Sequence, residues 1–288
     1  MISKAHRLSH YLRDVAILIR IIPCLGCAAA TLLGGYLLQG LAALTSSRVL
    51  KATISMILIL AAANIVNDIR DIEVDARNKP ARPIPAGRIS PVSACVTAGV
   101  IMLVGLGISI HSGWLLAFFE ASVASLSILY SLLFKGTVLF GNLLVGLLAA
   151  SPILYGAMAQ GQIHETVIEG LVMVFLFMSA FEVLKTLRDK DGDAESGVST
   201  IATEFGAQTT IQAFQVLIGL FTVAVLLSGL RAAHPLAYFG LMFPTSVLPS
   251  IAVVLVLHRT HEKSDVRTGL KLLTAAWFPG LVGISFLR

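Results

Sequence analysis

Residues 51–75 read KATISMILILAAANIVNDIRDIEVD. From Ala52 to Val66 almost every side chain is apolar or small, and then four acids follow within eight residues: Asp68, Asp71, Glu73 and Asp75. An apolar stretch near the ~20 residues needed to cross hydrocarbon predicts a transmembrane helix, and the acids mark its exit. Runs of this kind recur along the chain at roughly 16–40, 51–70, 92–111, 113–134, 138–159, 167–187, 208–230, 236–257 and 268–287, each bounded by polar residues, Gly or Pro. Of the 288 residues 56% are apolar and 13% charged, and the mean hydropathy is +0.87, which leaves too little polar surface for a water-soluble domain. Membrane β-strands would be shorter and would alternate apolar with polar residues, a pattern absent here. The expected fold class is all-α: a polytopic membrane protein of nine transmembrane helices.

Charge orients these spans. Seventeen of the 21 Lys and Arg residues fall on the side shared by the N-terminus and the even-numbered loops. The positive-inside rule makes that side cytoplasmic. The N-terminal MISKAHRLSHYLRD is basic and has no clear small-residue cleavage site, so a removable signal peptide is not expected. The net charge of +5 does not point to nucleic acid, because the cations cluster beside spans and acids, where lipid headgroups or a phosphorylated substrate explain them better. Cys24 and Cys27 have CxxC spacing, but inside an apolar span and with no second pair they read as small helix-packing residues.

Half of the sixteen acids occupy two short stretches, Asp68 to Asp75 and Asp189, Asp191, Asp193 and Glu195. In the first, Asn64, Asn67 or Asp68, Asp71 and Asp75 recur every three or four residues and form one stripe on a helix. Carboxylates stacked in this way repel one another unless a cation compensates. Residues 187–193 (LRDKDGD) overlie residues 69–75 (IRDIEVD) at an offset of 118 residues. The offset corresponds to four spans, an even number, so both copies face one side and can serve one site. It predicts a single transmembrane domain over 1–288 with an internal pseudo-repeat of roughly 16–134 and 138–257. Oxygen ligands without His or Cys favour Mg²⁺ or Ca²⁺ over Zn²⁺, and Mg²⁺ suits carboxylates facing a diphosphate. A solvated loop whose acids offset nearby Arg and Lys explains either cluster alone, but explains two matched clusters at bilayer boundaries less well.

At these residues the chain resembles the UbiA superfamily of intramembrane prenyltransferases. Asn67-Asp68-Ile-Arg-Asp71-Ile-Glu-Val-Asp75 matches the NDxxDxxxD motif, and Asp189-Lys-Asp-Gly-Asp193 matches DxxxD. Residues 78–90 (NKPARPIPAGRIS) match NxPxRPxPxGxIS, and Tyr130 to Lys135 with Gly141-Asn142 resembles the YSxxLK and GN elements. The loop and the DGD element are most similar to geranylgeranylglyceryl phosphate geranylgeranyltransferases. Many relatives have Lys-Asp where this chain has Lys185-Thr186, and a Pro and then Asn where it has Ile21 and Pro23.

The resemblance implies Mg²⁺-dependent transfer of a prenyl group from an allylic prenyl diphosphate to a lipid or aromatic acceptor. It implies metal ligation by Asp68, Asp71, Asp75, Asp189 and Asp193, accompanied by Asn67. Lys135, Lys185, Arg77 and Arg82 become candidate diphosphate clamps, and the Tyr130 ring a candidate for steadying an allylic cation. Arg20, an ionisable group expected inside the first span, is a candidate anion binder. Asn64 and Asn142 are candidate substrate contacts, and Glu182 is a candidate base or supporting acid. The cation must be shielded from water, so a central cavity open to the cytoplasmic side and laterally to membrane lipid is expected. Two rivals stand beside this reading: a terpene cyclase of the same fold, which needs no acceptor, and a cation transporter, whose acids are expected nearer the bilayer midplane.

Overall fold

The computed structural model describes residues 4–260 and 262–288. Met1–Ser3 of the basic N-terminal stretch lie outside them. Among the described residues the regular structure is all helical, and nine helical segments are long and apolar enough to cross a membrane: Ile21–Thr45, Ser47–Arg70, Pro91–Ser112, Trp114–Phe134, Phe140–Met158, Glu165–Glu195, Ile201–Gly229, Pro235–Arg259 and Lys263–Leu287. Each overlaps a predicted run.

Two boundaries differ from the sequence reading. The first span begins at Ile21 because a separate helix, α1 (Lys4–Ile19), precedes it and breaks at Arg20, a left-handed residue with φ of 57°. Hydropathy alone merges the apolar end of α1 with the span that follows. Arg20 therefore stands at a helix junction rather than within a span. The sixth span continues past its apolar part to Glu195, so the second acidic cluster is helical along its length.

The chain falls into two units. The first comprises the segment up to Ala28 and Lys51–Leu133. It holds α1, the start of α2 (Ile21–Gln39), most of α3 (Ser47–Arg70), α4 (Ile72–Asn78), α5 (Pro91–Ser112) and α6 (Trp114–Leu129), which runs into a π-helical turn at Tyr130–Phe134. Its core joins Leu18 of α1 to Ala62 and Ile65 of α3, to Ile84 and Ile89 of the following loop, and to Ala94 and Ala98 of α5. Ser90 caps α5 by accepting a hydrogen bond from Ser93 N, and Pro91 supplies a first residue with no N–H to satisfy.

The second unit comprises Ala29–Leu50 and Phe134–Arg288. It contains the rest of α2, α7 (Phe140–Met158), α8 (Glu165–Glu195), α9 (Ile201–Gly229), α10 (Pro235–Met242), a π-helical turn at Phe243–Val247, α11 (Leu248–Arg259) and α12 (Lys263–Ile284). Glycines let α2 and α7 touch backbone to backbone: a Cβ on Gly34 would lie 1.9 Å from Ile153 O, and one on Gly156 1.8 Å from Thr31 O. In lipid, where apolar side chains gain little by leaving solvent, such close packing holds helices together. Large apolar side chains remain uncovered within each unit, among them Trp114 at 79% and Leu236 at 91% exposure. Water would not tolerate so much bare apolar surface, whereas acyl chains solvate it.

Candidate functional site

In the first unit the acidic stripe grows out of α3. Asp71 interrupts the helix only slightly: its N–H donates to Asn67 O at 3.0 Å and Asp75 N–H donates to Asp71 O at 2.7 Å, so helical bonding carries through into α4. This continuity stacks the predicted residues on adjoining faces. Asn64 Nδ2 donates to Ile19 O at 3.0 Å, satisfying a carbonyl at the end of α1. One turn later Asp68 accepts from Arg20 Nη2, and also from Arg82 Nη1 at 2.9 Å, both on Oδ1. Arg82 Nη1 reaches Asp75 Oδ2 at 2.5 Å as well, with Lys79 Nζ 3.5 Å from the other oxygen. Asp68 and Asp75 are each 3% exposed. Burial of two carboxylates this deep requires paired cations, and Arg82 serves both. Asn67 Nδ2 instead donates to Asp71 Oδ2 at 3.0 Å, and both residues are half-buried.

The loop that delivers Arg82 is held by its own chemistry. Arg82 N–H donates to Lys79 O, and the N–H groups of Arg88 and Ile89 donate to Pro83 O. Gly87 provides the left-handed step, with φ of 70°, and Ile84 and Ile89 plug into the core. Arg88 Nε donates to Asp14 Oδ1 at 3.0 Å and Arg88 Nη2 to Ala81 O at 2.9 Å, which ties the loop to α1. Arg77 lies on the exposed side of α4. Tyr130, half-buried, starts the π-helical turn that ends α6.

In the second unit the stripe follows α8. Glu182 is buried and accepts from Lys185 Nζ at 2.5 Å, while Asn142, in the first turn of α7, donates from Nδ2 to Glu182 O at 3.2 Å. Arg188 grips Asp189 with two bonds of 2.7 Å. Asp193 lies one turn further on and is half-buried; Asp191 points elsewhere, exposed and paired with Lys263 of α12. Thr186, which stands where many relatives have an acid, is buried with its hydroxyl donating to Val183 O at 2.7 Å. Lys135 is half-buried in the turn before α7.

Both acidic clusters lie on helical segments, and each carries its own cations. Among the described residues no three of Asp, Glu, His and Cys gather closely enough to form a metal cage. All-oxygen carboxylate rows without a cage fit Mg²⁺, which keeps waters and takes phosphate oxygens as ligands instead of needing a full protein shell. Three features escaped the sequence reading: the junction at Arg20, the capping of α1 by Asn64, and the sharing of Arg82 between Asp68 and Asp75. The NxPxRPxPxGxIS motif marked Arg82 as a loop residue and a candidate diphosphate clamp, not as the partner of Asp68 and Asp75.

Comparison with known proteins agrees with this architecture. The UbiA prenyltransferase family model matches residues 28–278. The chain is 32% identical over 241 residues to the digeranylgeranylglyceryl phosphate synthase of Methanococcus aeolicus, covering 83% of this chain and 82% of the relative. To the enzyme of that name from Methanopyrus kandleri it is 34% identical over 238 residues, covering 81% and 83%. Among solved structures, one of a digeranylgeranylglyceryl phosphate synthase superposes with a TM-score of 0.76 at 23% identity, over 95% of this chain and 97% of that one. A UbiA homolog from Archaeoglobus fulgidus bound to GPP and Mg²⁺ gives a TM-score of 0.70 at 14% identity, over 94% and 99%. The molecule is therefore a multi-pass intramembrane prenyltransferase in class. It belongs to the UbiA prenyltransferase family.

Proposed function

We propose that this chain transfers a prenyl group from an allylic prenyl diphosphate to the hydroxyl of a glyceryl phosphate lipid, releasing diphosphate. The observation that carries the reading is the row of carboxylates at the end of an apolar span, with Arg82 and Arg20 fixed upon it. Fixed cations and carboxylate-held metal are what a leaving diphosphate requires, because negative charge develops on it as the allylic C–O bond breaks. The relatives' activity supports the acceptor class, and the homolog bound to GPP and Mg²⁺ supports the donor and the metal.

In this reading Asp71, Asp75, Asp189 and Asp193 hold Mg²⁺, with Asn67 steadying Asp71. The ion supplies neutralising charge to the diphosphate. Lys135, Lys185, Arg77 and Arg82 contact the leaving group, and Tyr130 turns its ring toward the allylic carbon. Arg20 binds the acceptor's phosphate, Asn64 and Asn142 keep their helices in register, and Glu182 takes the proton that the acceptor hydroxyl releases. A dry cavity reached from the lipid, the cytoplasmic placement of the N-terminus and acidic loops, and descent of the two halves from one duplicated four-span unit belong to the same proposal. The positive-charge bias and the 118-residue offset support the last two.

The test is product analysis of purified protein given geranyl, farnesyl or geranylgeranyl diphosphate with Mg²⁺, with and without geranylgeranylglyceryl phosphate. Acceptor-dependent diphosphate release with a gain of one prenyl mass is expected. A cyclised product without acceptor would replace transfer by cyclisation, and no release from any donor would remove the enzymatic reading.

A further inference from the structure

We infer that Asp68, although it sits within the metal-binding motif, is a positioning residue: it holds the guanidiniums of Arg20 and Arg82 in place and does not ligate the metal. The inference rests on the prenyl-transfer reading and deepens it.

Several independent features converge on this residue. Asp68 receives two arginines on one oxygen, Oδ1. Its 3% exposure compares with half-burial of Asn67 and Asp71. The neighbouring motif residues pair differently, since Asn67 donates to Asp71 and leaves Asp68 to the arginines. Asp75 also meets Arg82, but its second cation is the exposed Lys79 at 3.5 Å, which can yield to an incoming ion.

The backbone at Arg20 supports the same role. A left-handed conformation at a residue other than Gly, Asn or Asp is strained, and such strain persists only where the surroundings enforce it. Here Asn64 secures the carbonyl just before Arg20, and Asp68, one turn along the same face of α3, secures its side chain. The two α3 residues therefore fix the α1–α2 junction and aim its guanidinium. Arg82 arrives on a loop with its own tight hydrogen bonding and meets the same carboxylate. Asp68 thus joins two chain segments 62 positions apart, Arg20 and Arg82, at a point where both present positive charge. With one carboxylate between them, two guanidiniums stand close together without repelling apart, and their remaining N–H donors are available to an anionic substrate.

The two roles for Asp68 differ in the Mg²⁺ requirement of turnover. In metal-free protein Asp68→Asn loses two ion pairs, so the melting temperature in EDTA falls. That fall should vanish when Asp68→Asn is added to an Arg20→Gln/Arg82→Gln background. In turnover at saturating donor, the Mg²⁺ concentration for half-maximal rate should stay within about twofold of wild type for Asp68→Asn. Its kcat/KM should drop roughly 10- to 100-fold, as for loss of a supporting residue or an anion-binding donor. Asp71→Asn, by contrast, should shift the Mg²⁺ requirement. A rise in melting temperature, a Mg²⁺ shift matching that of Asp71→Asn, or a loss that multiplies with the arginine variants would overturn the assignment. Where Asp68→Asn does not fold, Asp68→Glu substitutes for it: it keeps the charge and hence the wild-type Mg²⁺ response, while KM rises, and a shifted Mg²⁺ response again overturns the assignment. Wild-type protein that releases no diphosphate would count against the prenyl-transfer reading, whereas active wild type with a Mg²⁺-shifted Asp68→Asn would count only against this inference.

Discussion

Replacing Arg82 with Gln removes a side chain shared by two buried carboxylates. Its Nη1 lies 2.9 Å from Asp68 and 2.5 Å from Asp75; the carboxylate side chains are 4% exposed and that of Arg82 is 22% exposed. Removing one partner from a fully buried pair costs about 3–5 kcal/mol, because a charge is left without compensation. Two features reduce the loss here: Arg20 stays on Asp68 and Lys79 stays near Asp75. With Arg82 itself reached by solvent, we expect about 2–3 kcal/mol. At roughly 2–4 °C per kcal/mol for a chain of this size, the melting temperature should fall by roughly 5–10 °C. Thermal unfolding in detergent with EDTA, followed by tryptophan fluorescence, reads this without substrate or metal. The double variant Asp75→Asn/Arg82→Gln should recover more than half of the loss, since exchanging both partners for neutral hydrogen-bonding groups leaves less buried charge exposed to penalty. A fall below 1 °C, or a double variant less stable than the single, would refute the claim that Arg82 neutralises the stripe.

Two further outcomes follow from the second unit. Gly156→Ala places a methyl 1.8 Å from Thr31 O, so α2 and α7 must separate by more than 1 Å; a loss of about 1–3 kcal/mol is expected in the same unfolding assay, and unchanged stability would mean the helices do not touch at this point. Lys185→Met strips the cation from buried Glu182. It should lower stability by about 1–3 kcal/mol and raise the KM for prenyl diphosphate, and adding Glu182→Gln should restore stability but not KM. Recovery of both would reduce Lys185 to a structural counter-ion.

The nine spans were readable from the sequence because apolar length is a property of the run itself, independent of what packs against it. The acidic stripes were readable for the same local reason, their three- and four-residue spacing surviving through the slight break at Asp71. The pairings were not. Arg82 finds Asp68 across 14 residues, Arg20 finds it across 48, and Arg88 finds Asp14 across 74, and no periodicity selects among the available cations. The junction at Arg20 was hidden for a different reason: left-handed backbone is announced by Gly or Asn, and an arginine there is set by its tertiary partners. The π-helical turn at Tyr130 likewise follows no residue pattern.

Under the proposed function the two acidic stripes serve Mg²⁺-dependent diphosphate departure. The measurement that tests it most directly is diphosphate release from geranylgeranyl diphosphate, with geranylgeranylglyceryl phosphate as acceptor, by wild type, Asp71→Asn, Asp189→Asn and the double variant across a Mg²⁺ titration. The expected result is release by wild type that EDTA abolishes, a loss of at least about 100-fold in each single variant, and little further loss in the double because the residues act as a unit. Undiminished turnover in the double variant would contradict it.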